Sequence, residues 1–253
     1  MKFFTNDTYS EITKNRFLLP LGENDDGQLA FGDFFEMQHI LIGGDSEKFN
    51  AYLIYLINFL SKKYSSEELK FVINTHDKNI FSRFESLPHL QNGIVNSTIP
   101  DILNAGQFVY SLYRNRHDLL ERIHTDFFGY NRQGIGKKLP LIVSITCDYS
   151  KLASKSKNEF LIYNLASKAF YAKNTGVFLI VATSNYAIES SAKELFDSYF
   201  PTRLTFFRKI KNRKSSILID SNSGSFPSEN QVAVQHTDKQ NKQTLIKLKT
   251  NSS

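Results

Sequence analysis

Apolar runs alternate with longer helical patterns along most of the chain. The runs HILI (39–42), KFVIN (70–74), LPLIVSIT (139–146), GVFLIVAT (176–183) and RLTFF (203–207) predict strands. Because these runs are almost continuously apolar, they are typical of strands that are covered on both faces of a parallel sheet. Their alternation with helical patterns favours βα units.

Two helices are predicted with a clear apolar face. Phe49, Leu53, Leu56 and Leu60 recur at helical spacing, and further apolar residues lie on the neighbouring faces. We therefore expect this helix to be buried against the sheet. A second amphipathic pattern runs from about residue 101 to 124, and a third, less periodic one lies near 157–172.

The C-terminal part changes character. SSILID (215–220), NQVAVQ (230–235) and TLIKLK (244–249) are short strand patterns separated by polar segments, and they predict extra strands on the same sheet. The glycine-rich segment 125–138 is interpreted as a surface loop. Because it precedes a strand and not a helix, no helix N-terminus would face a bound phosphate there.

Composition indicates a globular protein. The chain has 253 residues, of which 41% are hydrophobic and 22% charged, enough for one large or two small domains. No run approaches the roughly 18 apolar residues of a membrane span, and the opening MKFFTNDTYS lacks the apolar core of a signal peptide. We therefore expect a cytoplasmic protein. A lone cysteine, Cys147, excludes an intramolecular disulfide and a multi-cysteine zinc site.

Positive charge is concentrated late in the chain. The net charge is +6, and the segment 203–214 (RLTFFRKIKNRK) carries six basic residues and no acid. Such a cluster is either a solvated surface or a contact for duplex DNA. The candidate DNA-binding residues are Arg208, Lys209, Lys211, Arg213 and Lys214.

The stretch 39–50 (HILIGGDSEKFN) has the strand, glycine loop, lysine and helix order of a phosphate-binding P-loop. The candidate nucleotide-binding residues are Gly43, Gly44, Asp45, Ser46, Lys48 and Phe49. Lys48 is either a residual phosphate contact or a surface lysine in the first turn of the helix.

Five segments in order resemble the motor domain of the FtsK/SpoIIIE family of DNA translocases, which are hexameric ATPases. They are LPLGENDDGQLAFGDFFEMQHILIGG (19–44), FVINTHDKNIFSRFESLPHL (71–90), LPLIVSITCDYSKL (139–152), GVFLIVATSNY (176–186) and YFPTRLTF (199–206). The resemblance implies an α/β domain over 19–250 after an N-terminal extension, 1–18. It also implies a RecA-like, mostly parallel sheet with helices on both faces and extra C-terminal strands.

The chain departs from the family pattern in the P-loop itself. The segment from Gly44 to Lys48 is two residues shorter than the family's GxxxxGK[ST] spacing. Glu47 replaces the glycine before the lysine, and Phe49 replaces the hydroxyl residue that holds Mg²⁺. The carboxylates of Asp45 and Glu47 would repel phosphate.

The other catalytic positions of the family are also changed. Cys147 and Asp148 stand where the family has the acidic pair that serves the metal and the attacking water, and Ser184 and Asn185 replace a glutamine and an arginine. Thr75, His76 and Asp77 replace the Asp-Pro-Lys sequence that the family has after the preceding strand. We therefore expect no intact catalytic residues and no metal site; ATP with Mg²⁺ would bind only if the altered loop still holds phosphate.

Other chemistry has weak support. His76 and Asp77 are more simply solvated neighbours than an acid–base pair, and His117 and His124 are too far apart on one helix for a metal pair. Cys147 lies at the end of a buried strand, so packing is a better interpretation than nucleophilic catalysis.

Three functional hypotheses remain. The first is a catalytically impaired FtsK/SpoIIIE-like domain that binds DNA, a related active ATPase or further copies of itself. The second is an active translocase with an atypical loop, in which Lys48 and Asp148 still serve. The third is a structural or assembly component of a secretion or conjugation machine.

Overall fold

A computed structural model describes residues 16–156, 172–185, 190–207, 217, 227–238, 240 and 242–250. The chain divides into two compact units. The first unit contains Met1–Phe59 and Ala182–Ser253, and the second contains Leu60–Val181.

The secondary structure follows the βα alternation that the sequence predicts. The strands of the described residues are β1 (Leu18–Glu23), β2 (Leu29–Asp33), β3 (Ile40–Gly43), β4 (Leu69–Thr75), β5 (Leu90–Asn96), β6 (Leu141–Cys147), β7 (Val177–Thr183), β8 (Thr202–Phe206), β9 (Gln231–Thr237) and β10 (Gln243–Lys249). The helices are α1 (Phe34–Met37), α2 (Ser46–Lys63), α3 (Ile99–Arg122), α4 (Phe127–Gln133), α5 (Tyr149–Ser156), α6 (Ala172–Thr175) and α7 (Ser190–Tyr199).

In the first unit the strand order is β2-β1-β10-β9-β8-β3. β3 and β8 are parallel, with Ile40 opposite Thr202, whereas β8, β9, β10, β1 and β2 pair in antiparallel fashion. The core of this unit includes Phe49, Leu53 and Leu56 of α2, which are fully buried. The carboxyl end of β3 leads directly into α2, so this unit holds the candidate phosphate loop.

In the second unit β7, β6, β4 and β5 are neighbours in that order, and the pairs are parallel. Every residue of β6 is buried, as expected for a strand covered on both faces. Arg116 of α3 is also buried and donates a 3.0 Å hydrogen bond to the carbonyl of Thr175 at the end of α6. The pKa of Arg116 is lowered to about 10 by burial.

The structure confirms the α/β fold class with parallel strands and added C-terminal strands. The five apolar runs and the two clear helical patterns correspond to β3, β4, β6, β7, β8, α2 and α3. Most of the third helical pattern (157–171) and all of SSILID except Ile217 lie outside the described residues.

The interpretation of 125–138 as a loop is wrong, because it contains α4. Asp126 caps this helix by accepting a 2.7 Å hydrogen bond from the Gly129 amide, and Gly134 ends it in the left-handed conformation. Phe127 and Tyr130 are buried one helical turn apart. The sequence therefore contains a helix signal, which consists of the Asp126 cap, the apolar pair and the C-terminal glycine. The number of glycines in the segment had favoured a loop instead.

β5 was not predicted, since its apolar pattern is broken. Gly93 has a φ of 65°, and the register with β4 shifts between Phe71 and Ile73. An irregular edge strand of this kind lacks the period on which sequence prediction depends. In the part of the chain that the structure describes, no helix has both the length and the apolarity to cross a bilayer.

Candidate functional site

The loop between β3 and α2 consists of only Gly44 and Asp45. Gly44 has a φ of 122°, and a Cβ there would lie 2.2 Å from the carbonyl oxygen of Phe206. A Cβ on Gly43 would lie 2.7 Å from Cγ2 of Ile217. Both glycines are therefore required by close packing against the chain itself, whereas a P-loop uses its glycines to wrap phosphate.

Asp45 caps the N-terminus of α2. Its Oδ1 accepts hydrogen bonds from the amides of Glu47 at 3.0 Å and Lys48 at 3.4 Å, and its carbonyl accepts from the Phe49 amide at 3.1 Å. These first-turn amides are the groups that a phosphate-binding helix presents to its ligand. A phosphate at this turn would have to displace a carboxylate of the protein and would meet its negative charge.

Lys48 is directed to the turn before β9. Its ammonium donates a hydrogen bond to the main-chain carbonyl of Glu229 and lies 5.3 Å from the centre of the Phe207 ring. A carbonyl and an aromatic face are both favourable neighbours for a cation. Contacts within the chain thus hold the side chain that would reach the β- and γ-phosphates in a P-loop.

Ser46 and Phe49 are the remaining residues of the predicted loop. Ser46 is the half-buried first residue of α2, and Phe49 is fully buried in the core. An aromatic side chain at position 49 supplies no oxygen ligand, which Mg²⁺ requires.

Arg203 fixes the segment that covers the loop. Its Nη1 donates to the carbonyl of Ile217, and its Nη2 donates to Asp197 Oδ1 at 2.6 Å and to the Phe196 carbonyl at 3.3 Å. Arg203 is only 1% exposed. This arginine of the predicted basic segment is therefore a core residue that positions Ile217 over Gly43.

The other basic residues of that segment lie outside the described part of the chain. They are Arg208, Lys209, Lys211, Arg213 and Lys214. Their candidate role in DNA binding stays a prediction from the sequence.

A cavity of about 160 Å³ adjoins Lys48 in the first unit. Its walls are formed by Leu21, Gly22, Lys48, Ala51, Tyr52, Tyr55, Phe206 and Thr250. Tyr52 donates a 2.9 Å hydrogen bond to the Pro20 carbonyl, and burial raises its pKa above the usual value. The sequence could not indicate this cavity because it combines residues from four distant segments.

In the second unit Cys147 ends β6 and is fully buried. Burial, followed by the nearby charge of Asp148, raises the pKa of the thiol to about 12. The thiol is therefore protonated at neutral pH. A protonated, buried thiol is neither an active nucleophile nor a ligand for a hard cation.

Asp148 follows β6 with a φ of 53° and is 1% exposed. Its Oδ1 accepts a 2.7 Å hydrogen bond from the Ser150 hydroxyl, and its Oδ2 lies 3.0 Å from the ammonium of Lys151. The hydroxyl of Ser150 and the ammonium of Lys151, both in the first turn of α5, therefore hold this carboxylate.

The end of β4 is likewise bound to its own turn. Asp77 Oδ1 accepts a 3.0 Å hydrogen bond from the Asn79 amide and caps a short 3₁₀ helix, while the Thr75 hydroxyl donates to the Asp77 carbonyl. Ser184 follows β7 and is half-buried, and the Thr183 hydroxyl donates to the Asn185 carbonyl at 2.9 Å. Among the residues with described positions, no cluster of three or more His, Cys, Asp or Glu side chains could hold a metal ion.

Sequence reasoning missed a polar row at the carboxyl ends of three parallel strands. Asn96 of β5 donates 3.1 Å hydrogen bonds to Asn74 Oδ1 and to the Ile73 carbonyl, and Asn74 Nδ2 lies 3.5 Å from the Thr146 hydroxyl. Asn74 and Thr146 are buried. Polar residues within otherwise apolar strands were the signal that could have identified them.

No protein-family model matches the chain, and no curated protein matches it. Solved structures do match. The cytoplasmic domain of the Thermomonospora curvata type VII secretion ATPase EccC has a TM-score of 0.73 at 17% identity, covering 93% of this chain and 28% of that one. The pCW3 conjugation coupling protein TcpA, solved with ATPγS, has a TM-score of 0.73 at 15% identity, covering 96% and 68%.

EssC (ATPases 2 and 3) from Geobacillus thermodenitrificans has a TM-score of 0.70 at 16% identity, covering 93% of this chain and 44% of that one. The chain therefore spans less than half of the EccC and EssC chains. At these identities the likeness establishes the fold, which is that of FtsK/SpoIIIE-type P-loop ATPase domains. The resemblance noted in the sequence is confirmed at that level.

Proposed function

We propose that this chain is a RecA-like domain of the FtsK/SpoIIIE type that does not hydrolyse ATP and acts by binding. Its favoured partner is a related ATPase domain in a secretion or conjugation assembly, in the cytoplasm. The fold neighbours that support this idea include chains with several ATPase domains.

The observation that carries the proposal is the cap of α2. The Asp45 carboxylate accepts the amides of Glu47 and Lys48, where a nucleotide phosphate would bind in a working loop. The two-residue connection also leaves too few amides to wrap a triphosphate. These residues do not fit a Mg²⁺-bound triphosphate.

The second unit gives independent support. Cys147 is a buried, protonated thiol, and Asp148 is paired with Lys151. Neither is suited to hold Mg²⁺ or to activate water in the way the family's acidic pair does.

The direct test is thermal unfolding of the full chain with about 1 mM ATPγS and Mg²⁺. A ligand at 100 times its Kd stabilises a protein by about 2.7 kcal/mol, which corresponds to roughly 5–10 °C for a chain of this size. We expect no shift and no ATP turnover above background. A shift of that size would overturn the claim that the altered loop holds no triphosphate. Turnover that Lys48→Ala abolishes and the control Lys62→Ala retains would overturn the proposal in favour of an active ATPase.

DNA is a second candidate partner, favoured by the basic residues of 208–214. Phosphate contacts make log K fall with log salt at about −0.9 per contact on duplex DNA. Charge reversal of Arg208, Lys209, Lys211 and Arg213 should weaken binding and flatten this slope, whereas reversal of four lysines elsewhere should leave the slope steep. If both variants bind duplex DNA with equal affinity, DNA is not a specific partner of this segment.

A further inference from the structure

In the second unit, the segment 132–138 leads from the last turn of α4 towards β6 and is closed at its base. The Asn131 side chain donates a 2.9 Å hydrogen bond to the Leu139 carbonyl and accepts a 2.8 Å bond from the Leu139 amide. Gly136 packs on Tyr130, because a Cβ there would lie 2.6 Å from the tyrosine hydroxyl oxygen. These contacts hold the segment in shape, although all seven of its residues are exposed.

The tip of this closed segment is apolar. Ile135 is its midpoint, four residues from Asn131 and four from Leu139. The isoleucine side chain is 59% exposed, and its two neighbours are glycines, which have no side chains to cover it. A single exposed apolar residue is ordinary on a protein surface. Its meaning therefore depends on the groups around it.

Cations stand on both sides of the tip. Arg132 precedes it, Lys137 and Lys138 follow it, and all three are exposed. Arg132 also lines a hollow together with the acidic residues Glu121 and Asp126, which offset its charge in part. Neither lysine forms an ion pair with a described residue. The two lysines therefore leave positive charge available beside the exposed isoleucine.

We propose that Ile135, Lys137 and Lys138 bind the surface of an anionic lipid bilayer. The isoleucine enters the boundary between headgroups and acyl chains, and the ammonium groups meet the anionic headgroups. Binding to such a surface grows with the apolar area that is buried and with attraction to anionic lipids. This inference goes beyond the proposed function, because it concerns the second unit and does not depend on the phosphate loop.

Other polyanions fit these features less well. A folded protein partner needs about 20–30 residues on each side of a stable interface, and this segment offers far fewer. Duplex DNA would attract the lysines through its phosphates, but the phosphates supply no apolar neighbour for Ile135. An anionic bilayer supplies both a negative surface and an apolar layer beneath it. It therefore uses the charge and the isoleucine together.

The expected affinity is low, since few groups contribute. One lysine or arginine near an anionic leaflet strengthens binding about five-fold, and burial of an isoleucine strengthens it about ten-fold. Two lysines and the isoleucine thus give about 250-fold, and Arg132 raises this towards about 1,000-fold. Half-saturation is then expected between about 1 and 4 mM accessible lipid. The contact is peripheral and reversible.

The test is sedimentation of the full chain with sucrose-loaded vesicles of phosphatidylcholine, with or without about one third phosphatidylserine. At about 5 mM accessible lipid and low salt we expect more than about half of the chain on anionic vesicles and less than about a tenth on neutral ones. Binding should fall several-fold at about 300 mM salt, because the charges are exposed. Equal binding to both vesicles, or none to either, would overturn the proposal.

A charge reversal locates the contact. Lys137→Glu combined with Lys138→Glu should weaken binding to anionic vesicles by at least about 25-fold, since it removes two attractions and adds repulsion. The control, Lys62→Glu with Lys242→Glu, makes the same charge change at exposed lysines elsewhere and should stay within about two-fold of the unmodified chain. Equal weakening by the two variants would overturn the proposal, because it would indicate general attraction only.

Replacing the isoleucine distinguishes a bilayer from another polyanion. Ile135→Ser should weaken vesicle binding by about ten-fold, whereas Leu245→Ser, at the other exposed large apolar side chain of the described residues, should not change it. Both variants should keep their Tm within about 2 °C, because these side chains lie at the surface. Vesicle binding that is unchanged in Ile135→Ser would overturn the proposal. If duplex DNA binding also depends on Lys137 and Lys138 in that case, DNA is the occupant instead.

Discussion

Replacing Asp45 with alanine tests the interpretation of the loop between β3 and α2. In the structure this carboxylate lies 3.0 Å from the Glu47 amide and 3.4 Å from the Lys48 amide. If it caps the helix, its removal leaves two first-turn amides without their acceptor. If the loop instead were built for phosphate, the same carboxylate would repel the ligand and its removal would be neutral or favourable.

The expected cost follows from these contacts. Replacing an N-cap acceptor by alanine costs about 1 kcal/mol. A negative charge at a half-exposed helix N-terminus adds about 0.5 kcal/mol. The sum of about 1.5 kcal/mol lowers the Tm of a chain of this size by roughly 3–6 °C. Asp45→Asn keeps an acceptor and loses mainly the charge, so it should cost about 0.5 kcal/mol.

The assay is urea unfolding and thermal unfolding of the full chain in a buffer without phosphate. Glu47→Ala is the matched control, because it removes a neighbouring exposed carboxylate that has no part in the cap. We expect its stability to change by less than about 0.5 kcal/mol. An Asp45→Ala variant as stable as the original chain, or one whose Tm rises, would refute the capping interpretation.

Three further predictions concern other buried groups. Arg203→Leu should cost at least about 3 kcal/mol in urea unfolding, because the buried carbonyl of Ile217 and the carboxylate of Asp197 lose their arginine donor; a loss below about 1 kcal/mol would contradict its role as an anchor. Cys147 should resist a thiol reagent in the folded chain at about pH 8 and react fully in denaturant, since burial raises its pKa; fast labelling of the folded chain would contradict this. Burial lowers the pKa of His236 in the folded state, so unfolding takes up a proton as the pH falls below about 6.5 and stability falls with it. Urea midpoints between about pH 7.5 and 5.5 should therefore change less in His236→Gln than in the original chain, and an equal change would count against this.

The parallel strands could be predicted because their apolar runs are long and uninterrupted. β6 and β7 are examples in which every residue is buried. α4 was missed because Gly129 lies within it and Gly134 directly follows it, and both glycines looked like loop signals, although Asp126 and Gly134 are standard helix ends. β5 was missed because its apolar pattern is interrupted, and in the structure its register with β4 shifts accordingly.

The candidate site could be predicted only as far as its position in the chain. The order of β3, loop and α2 follows from local sequence, and the shortened loop is visible there as well. The tertiary contacts of the site join segments that are far apart in the sequence. The Lys48 ammonium donates a hydrogen bond to the carbonyl of Glu229. Ile217 packs against Gly43, and Arg203 holds Ile217 by a hydrogen bond to its carbonyl. Such contacts depend on tertiary packing, which no local pattern encodes.

We propose that the first turn of α2 holds the carboxylate of Asp45 in place of a triphosphate. The most direct measurement is the NMR chemical shift of the Glu47 and Lys48 amides during titration with Mg²⁺ and ATPγS. We expect that these two resonances do not move. Saturable shifts of both amides, absent when Mg²⁺ and inorganic sulfate are added instead, would contradict it.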